Sequence, residues 1–152
     1  MSFFNSMNVA ATGLTAQRLR MDIIAENIAN ANTTRTADGG PYQRRTVVMR
    51  QAMPAAFSTE LQQAQGVAAA GAGPLSGGVR VSRIATDRTD GPRVHDPGHP
   101  DADADGYVQM PNINIVMEMV NMISASRSYE ANVTAMDVTR GMISRTLEIG
   151  RQ

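Results

Sequence analysis

The stretch EMVNMISASRSYEANVTAMDVTRGMISRTLEIG, residues 118–150, decides the fold class, because apolar residues recur along it in steps of four and three. Extended back to Ile115, this spacing runs over more than four heptads, and eight of its ten positions are apolar. Such spacing is typical of a long helix with one narrow apolar seam. The apolar seam positions are Ile115, Met119, Met122, Tyr129, Val133, Met136, Ile143 and Leu147.

The N-terminal segment carries the same spacing between Phe3 and Ile28, where seven of eight seam positions are apolar. Ser2 can cap the start of this helix, and the glycines and proline of residues 38–41 exclude its continuation. The seam residues that we expect to pack are Met7, Leu14, Met21, Ile24 and Ile28. Two seams with little core between them predict a mainly α fold, in which the helices form an antiparallel coiled-coil-like pair or pack on other chains.

Short polar-rich runs at 42–50 and 78–86 have the composition of β-strands and predict a hairpin. The residues between them, 51–78, are rich in Ala and Gly and have no stable period, so we expect a flexible loop. A shorter strand pair, PRVHD and GYVQM, brackets an acidic turn. The predicted organisation is an N-terminal helix (1–32), an extended or hairpin middle region (33–110) and a C-terminal helix (111–152).

Composition excludes several classes of protein. The 14 basic and 14 acidic residues balance, which removes the simplest electrostatic case for nucleic acid. Without cysteine, the chain has no thiol catalysis, disulfide or cysteine-ligated metal. Its two histidines lie in one loop, with no nucleophile placed beside them, and aromatics make up only 4% of the chain. We therefore expect neither an enzyme nor a cofactor, and no small-molecule substrate.

The acidic run HPDADADGY, residues 99–107, resembles the first half of a calcium-binding EF-hand loop through Asp101, Asp103, Asp105 and Gly106. The twelfth loop position, which must supply a bidentate carboxylate, is Asn112. A tight turn held by aspartate side chains is therefore the preferred interpretation, and a weak calcium site the alternative. No metal is expected at His95 and His99, because Pro97 and Gly98 between them exclude a helix.

Both ends of the chain resemble the axial-protein family of the bacterial flagellum, which includes rod, hook and hook-associated subunits. At the N-terminus the resemblance lies in ATGLTAQRLRMDIIAENIANANTTRT, residues 11–36, and at the C-terminus in residues 118–150. GGPYQRR, DPGHPDADADGYVQMPNINI and the short length point within this family to a proximal-rod subunit. The residues that match the family motifs are Asn27, Asn30, Asn32, Arg127, Tyr129, Glu130 and Asn132.

The resemblance implies a structural subunit that polymerises through its terminal helices into a drive shaft and transmits torque. It also implies partners: copies of the chain, other rod proteins, the basal-body membrane ring and the export apparatus. The flagellar type III apparatus would export the chain without a cleaved signal, into a rod that crosses the periplasm.

Within such a rod, we expect the acidic turn of Asp101, Asp103, Asp105 and Gly106 to contact a neighbouring subunit. Some of its carboxylates are expected to pair with arginines of this chain or an adjacent one, including Arg35, Arg44 and Arg45 in the N-terminal third of the chain. The alternatives are another rod or hook subunit, a type III needle-type subunit, or a small calcium-binding protein.

Overall fold

A computed structural model describes residues 3–37, 39–52 and 77–150. The described residues form two helices and two small two-stranded sheets, which confirms the mainly α prediction and the small hairpins. In chain order the elements are α1 (Phe3–Ala29), β1 (Arg45–Gln51), β2 (Val79–Thr86), β3 (Arg93–His95), β4 (Tyr107–Gln109) and α2 (Ile115–Ile149).

Polar side chains bind free backbone groups at the C-terminal end of α1 and at the N-terminal end of α2. Asn114 caps the start of α2, because its Oδ1 accepts a hydrogen bond from the amide of Met117 at 3.1 Å. At the end of α1, Asn30 donates from its Nδ2 to the carbonyl oxygen of Glu26 at 2.9 Å, which satisfies a carbonyl of the last helical turn. Neither helix of the described residues is long and apolar enough to span a membrane.

The strands lie where the sequence predicts them. β1 pairs with β2. At one end of the pair the amide of Ala52 donates to the carbonyl oxygen of Gly78, and at the other end the amide of Asp87 donates to the carbonyl oxygen of Arg44. β3 pairs with β4 in antiparallel register, with His95 opposite Tyr107. The predicted flexible loop falls mostly on residues 53–76, which lie outside the described residues.

The chain divides into two compact units, and each helix contributes to both. The first unit consists of Met1–Gln17, Met49–Ser82 and Arg127–Gln152, and the second of Arg18–Val48 and Arg83–Ser126.

In the first unit, Asn132 of α2 packs against Gly13 of α1. A Cβ atom at Gly13 would lie only 3.1 Å from Nδ2 of Asn132, so this close approach depends on glycine. Thr12 binds the start of β2, because its hydroxyl accepts a hydrogen bond from the amide of Val79 at 3.1 Å.

The second unit holds most of the buried side chains of the described residues. Its apolar core is small, and its two most buried large side chains are polar: Asn27, which is 0% exposed, and Glu118, which is 1% exposed. A core this small, built around polar groups, makes the hydrogen bonding of those groups decisive for the unit. The buried apolar residues of the unit are Ile23, Ile24, Ala31, Val108 and Ala125.

Candidate functional site

The buried Glu118 forms an ion pair with the partly buried Arg44 next to α1. Glu118 lies in the first turn of α2, directly after its Asn114 cap, and Arg44 directly precedes β1. Nε and Nη2 of Arg44 donate to Oε1 of Glu118 at 2.9 and 2.7 Å. The Arg44 side chain is 30% exposed and that of Glu118 is 2% exposed, so the carboxylate is the more strongly desolvated partner. A carboxylate in this position requires a charged partner, because burying an isolated one is very unfavourable.

Asn27 of α1 connects this ion pair to Tyr42 and to Arg45, the first residue of β1. Its Nδ2 donates to Oε2 of Glu118 at 3.1 Å and to the carbonyl oxygen of Arg45 at 2.8 Å. Its Oδ1 accepts from the amide of Arg45 at 2.9 Å and from the hydroxyl of Tyr42 at 3.2 Å. Both amide hydrogens and the oxygen are therefore bonded, as a fully buried carboxamide requires. We call Asn27, Arg44 and Glu118 the polar cluster.

Tyr42 borders the polar cluster and stays protonated under ordinary conditions. Partial burial of its ring raises the pKa of its phenol above the ordinary value of 10.0, and the nearby carboxylate of Glu26 raises it further. The charge of Arg45 opposes this shift. The protonated hydroxyl is the form that donates to Asn27, so the local electrostatics favour an intact cluster.

A second ion pair joins the same parts of the chain at the surface. Nη1 of Arg45 lies 2.8 Å from Oε1 of Glu26, and both side chains are more than a third exposed. Exposed pairs of this kind contribute about 0–1 kcal/mol. This pair therefore offers a matched surface control for the pair of Arg44 with the buried Glu118.

The acidic turn uses its aspartates in three different ways. Asp101 accepts from the hydroxyl of Thr34 at 2.8 Å and lies 3.3 Å from Nη1 of Arg35, so it pairs with an arginine of its own chain. Oδ1 of Asp103 accepts from the amides of Asp105 and Tyr107 at 3.1 and 2.8 Å. The side chain of Asp105 is exposed.

The backbone of the acidic turn has the features of a tight turn. Gly106 has a φ of +79°, in the left-handed region that favours glycine. Nδ1 of His99 accepts a hydrogen bond from the amide of Asp101 at 3.1 Å. Among the described residues, no group of three or more acidic or imidazole side chains is arranged to hold a metal ion.

The predicted seam residues differ in burial. Ile24 is buried, and most others are partly buried: Met7, Leu14, Met21, Ile28, Met122, Tyr129, Val133, Met136 and Ile143. Ile115, Met119 and Leu147 are exposed in the single chain. In the first turns of α2 the buried positions are instead Glu118 and Ala125. The packing and assembly roles of the seam residues remain predictions.

The family-motif residues also fall into different environments. Asn27 belongs to the polar cluster, and Asn30 accepts from the hydroxyl of Thr33 at 3.2 Å as well as donating to Glu26. Asn132 donates to the carbonyl oxygen of Ser128 at 2.9 Å. Tyr129 is partly buried, and the exposed members are Asn32, Arg127 and Glu130.

Sequence reasoning missed Glu118 and Tyr42 as members of one site, and it considered Arg44 only as a partner for the acidic turn. One signal was available: Glu118 is the only charged residue between Ile113 and Ser126. A lone carboxylate in an apolar helical run indicates either a solvent-facing position or a buried one with a specific partner. The sequence alone does not distinguish these two possibilities.

Comparison with known proteins identifies the family. A model described as flagella basal body rod protein matches residues 7–35, and one described as flagellar basal body rod FlgEFG protein C-terminal matches residues 104–149. The chain is 46% identical over 155 residues to the flagellar basal-body rod protein FlgC of Bacillus subtilis strain 168, covering 99% of this chain and 100% of the relative. The chain belongs to the FlgC family.

Two further FlgC proteins show similar coverage. The protein of Borreliella burgdorferi is 43% identical over 162 residues, covering 98% of both chains. That of Yersinia enterocolitica is 40% identical over 151 residues, covering 99% of this chain and 100% of the relative. Asn27 and Glu118 lie within the two ranges matched by family models, whereas Tyr42 and Arg44 lie between those ranges.

Proposed function

We propose that this chain is a structural, non-enzymatic subunit of the flagellar basal-body rod, in its proximal part, and that it polymerises through its terminal helices into the torque-transmitting shaft. Membership of the FlgC family, whose members are named flagellar basal-body rod proteins, supports the rod assignment. The exposed apolar surface of α2 is the structural observation that supports polymerisation through helices.

That surface is unusual for a helix in water. Ten of the thirteen exposed large apolar side chains among the described residues lie on α2. Because Glu118 is buried, no charge is exposed on this helix between Ile115 and Ser126. Large exposed apolar patches mark surfaces that associate. The ten side chains are Ile115, Val116, Met117, Met119, Val120, Ile123, Val138, Met142, Leu147 and Ile149.

Within the chain, we propose that α1 and α2 pair in antiparallel, coiled-coil-like fashion. One contact supports this in each unit: Gly13 with Asn132 in the first, and Asn27 with Glu118 in the second. Asn27 follows Gly13 by 14 residues, and Asn132 follows Glu118 by the same number. Equal spacing in opposite chain directions is what an antiparallel pair requires, and 14 residues correspond to two heptads.

The proposed places in the rod follow the three segments predicted from the sequence. Residues 1–32 and 111–152 would form the helical layer of the rod, and residues 33–110, including the loop at 51–78, would form its middle region. The acidic turn would add a contact between subunits through the exposed carboxylate of Asp105. Asp101, in the same turn, already pairs with Arg35 of its own chain.

The partners that we propose are copies of this chain, other rod proteins, the basal-body ring and the export apparatus. Family membership supports a basal-body location. Passage through the type III apparatus without a cleaved signal, and a position in the periplasm, complete the proposal. No observation on the described residues favours the calcium-binding alternative.

Deletion of the gene tests the rod assignment, with swimming assays and electron microscopy of purified basal bodies as readouts. The expected result is non-motile cells whose basal bodies stop at the membrane ring, and restoration by the intact gene. Normal swimming with complete rods in the deletion strain would contradict the assignment.

A further inference from the structure

The polar cluster is an unfavourable way to stabilise a small core. Removing Glu118 almost fully and Arg44 partly from water carries a desolvation penalty that opposes their mutual attraction, and apolar residues of similar size often serve stability equally well. Asn27 likewise occupies a fully buried position where an apolar side chain would need no hydrogen-bond partners. These groups therefore contribute something besides the free energy of unfolding.

The apolar seams provide little information about register. Apolar residues recur along both helices in steps of three and four, so moving α2 by one turn, about 5.4 Å, replaces most apolar contacts by other apolar contacts. Methionine is especially tolerant of such a move, because its unbranched side chain fills irregular space. Met119, Met122 and Met136 all lie on this seam.

The polar cluster, by contrast, is satisfied at only one register. A one-turn slip would place Met122 or Asn114 opposite Asn27 instead of Glu118. With Met122 there, Asn27 would lose one acceptor, and in either slip Glu118 would lose the hydrogen bond that Asn27 donates to its Oε2. Unpaired buried polar groups are strongly unfavourable, so each slipped arrangement is penalised.

We infer that Asn27, Arg44 and Glu118 form a register lock, which selects a single alignment of α1 with α2 and fixes the start of β1 against α1. The lock discriminates between alignments more than it stabilises the correct one. Asn27 fixes the start of β1 because it bonds both the amide and the carbonyl oxygen of Arg45. This inference does not depend on the rod assignment, because every contact involved lies within one chain.

The absence of cysteine from the chain allows a direct test by disulfide trapping. Gly13→Cys combined with Asn132→Cys reports the observed alignment, because a Cβ atom at residue 13 would lie only 3.1 Å from the side chain of residue 132. Gly13→Cys with Ser128→Cys or Met136→Cys reports slips of one turn in either direction, and each of these pairs also carries Asn132→Ala so that the side chain at residue 13 has room in the observed alignment. Each pair is placed in the full-length parent and in the Arg44→Met/Glu118→Met variant, oxidised in dilute solution, and scored for intramolecular disulfide by mass spectrometry.

In the parent, the 13–132 pair should form its disulfide at least tenfold faster than either slipped pair. In the Arg44→Met/Glu118→Met variant, this preference should fall below threefold, while the helical circular dichroism and the melting midpoint are retained or increased. The matched control is Arg45→Met/Glu26→Met, which removes the exposed ion pair and should leave the tenfold preference unchanged.

A folded double-Met variant that keeps the tenfold preference would overturn the lock. So would loss of its helical signal, because the cluster would then act mainly through stability. Glu118→Gln provides a second variant of the same shape. Arg44 and Asn27 each donate a hydrogen bond to one carboxylate oxygen of Glu118. In glutamine one of these oxygens is replaced by an NH2 group, which would face one of the two donors. The preference of Glu118→Gln should fall at least threefold relative to the parent, and an unchanged preference in this folded variant would also contradict the lock.

Discussion

Nδ2 of Asn27 lies 3.1 Å from Oε2 of Glu118, which joins two fully buried side chains that are 91 residues apart in the sequence. Neither residue has access to water, so each supplies a hydrogen-bonding group that the other needs. This contact links the last turns of α1 to the first turn of α2. The second unit therefore depends on a polar contact between distant parts of the chain.

Asn27→Asp changes this contact with almost no change in shape. The new carboxylate oxygen would face the carboxylate of Glu118 and the carbonyl oxygen of Arg45, where Asn27 now donates. We expect a loss of about 3–5 kcal/mol in the free energy of unfolding, as for other uncompensated buried charges, measured by urea denaturation. Asn32→Asp, at an exposed position shortly after α1, should change it by less than about 0.5 kcal/mol. A loss below about 1 kcal/mol for Asn27→Asp would show that Asn27 is not tightly held.

The two helical glycines, Gly13 and Gly141, should respond differently to alanine. A Cβ at Gly141 meets nothing within 4 Å, so Gly141→Ala should stabilise α2 locally by about 1 kcal/mol through helix propensity. At Gly13 the same gain is opposed, because the methyl group must displace Asn132 and disturb its hydrogen bond to Ser128. Amide exchange of the flanking residues measures both effects. Equal stabilisation at the two sites would contradict the close packing of Asn132 on Gly13.

Val120→Glu tests whether the exposed apolar surface of α2 is buried in the rod. Val120 is 55% exposed in the single chain, so the change should have little effect on the monomer. In an apolar interface the unpaired carboxylate would be unfavourable by several kcal/mol, and swimming of the complemented deletion strain should be lost. Ala25→Glu is the control, because this exposed position of α1 follows the exposed Arg18 and Asp22 at helical spacing, so its helix face is already charged. Normal rods with Val120→Glu would exclude Val120 from the interface.

The type and place of the elements could be predicted from the sequence, because they follow from local patterns. The steps of three and four identified both helices. The acidic turn could be predicted in the same way, since aspartate and glycine favour tight turns through contacts within a few residues.

The polar cluster could not be predicted, because its partners come from distant parts of the chain. The heptad pattern favours Ile115 and Met119 as the packing positions in the first turns of α2, yet the buried position there is Glu118. Glu118 can be buried only because Arg44 and Asn27 reach it, and no local pattern contains that information. Periodicity identifies the apolar stripe of a helix, but it does not indicate which other part of the chain packs on that stripe.

Amide exchange in a dilute monomer should differ along α2. Its first turns contain the buried Glu118 and Ala125, whereas from Ser144 to Ile149 every residue is exposed. We expect amides between Ser144 and Ile149 to exchange at least tenfold faster than those of 118–125, because isolated helical turns are marginal in water. Assembly into rods should then slow their exchange at least tenfold. Uniform protection along α2 in a monomer verified by sedimentation would contradict the proposed burial between subunits.

Stability at alkaline pH should depend on Tyr42. Burial, together with the carboxylate of Glu26, raises the pKa of its phenol in the folded chain above 10.0. A raised pKa means that the folded chain holds this proton more tightly than the unfolded chain does. The stability that Tyr42 contributes is therefore complete below pH 10 and is lost as the pH rises through the folded pKa.

Tyr42→Phe isolates this contribution. The difference in absorbance at 295 nm between the parent and the variant, followed during alkaline titration, reports ionisation of Tyr42 alone, and its midpoint should lie above 10.0. The variant also loses the hydrogen bond to Asn27, so it should be less stable than the parent at pH 7 by about 1 kcal/mol. Above pH 10 this difference should shrink, because the phenolate of the parent no longer donates to Asn27. A midpoint at or below 10.0 would show that Tyr42 is neither desolvated nor held against the polar cluster.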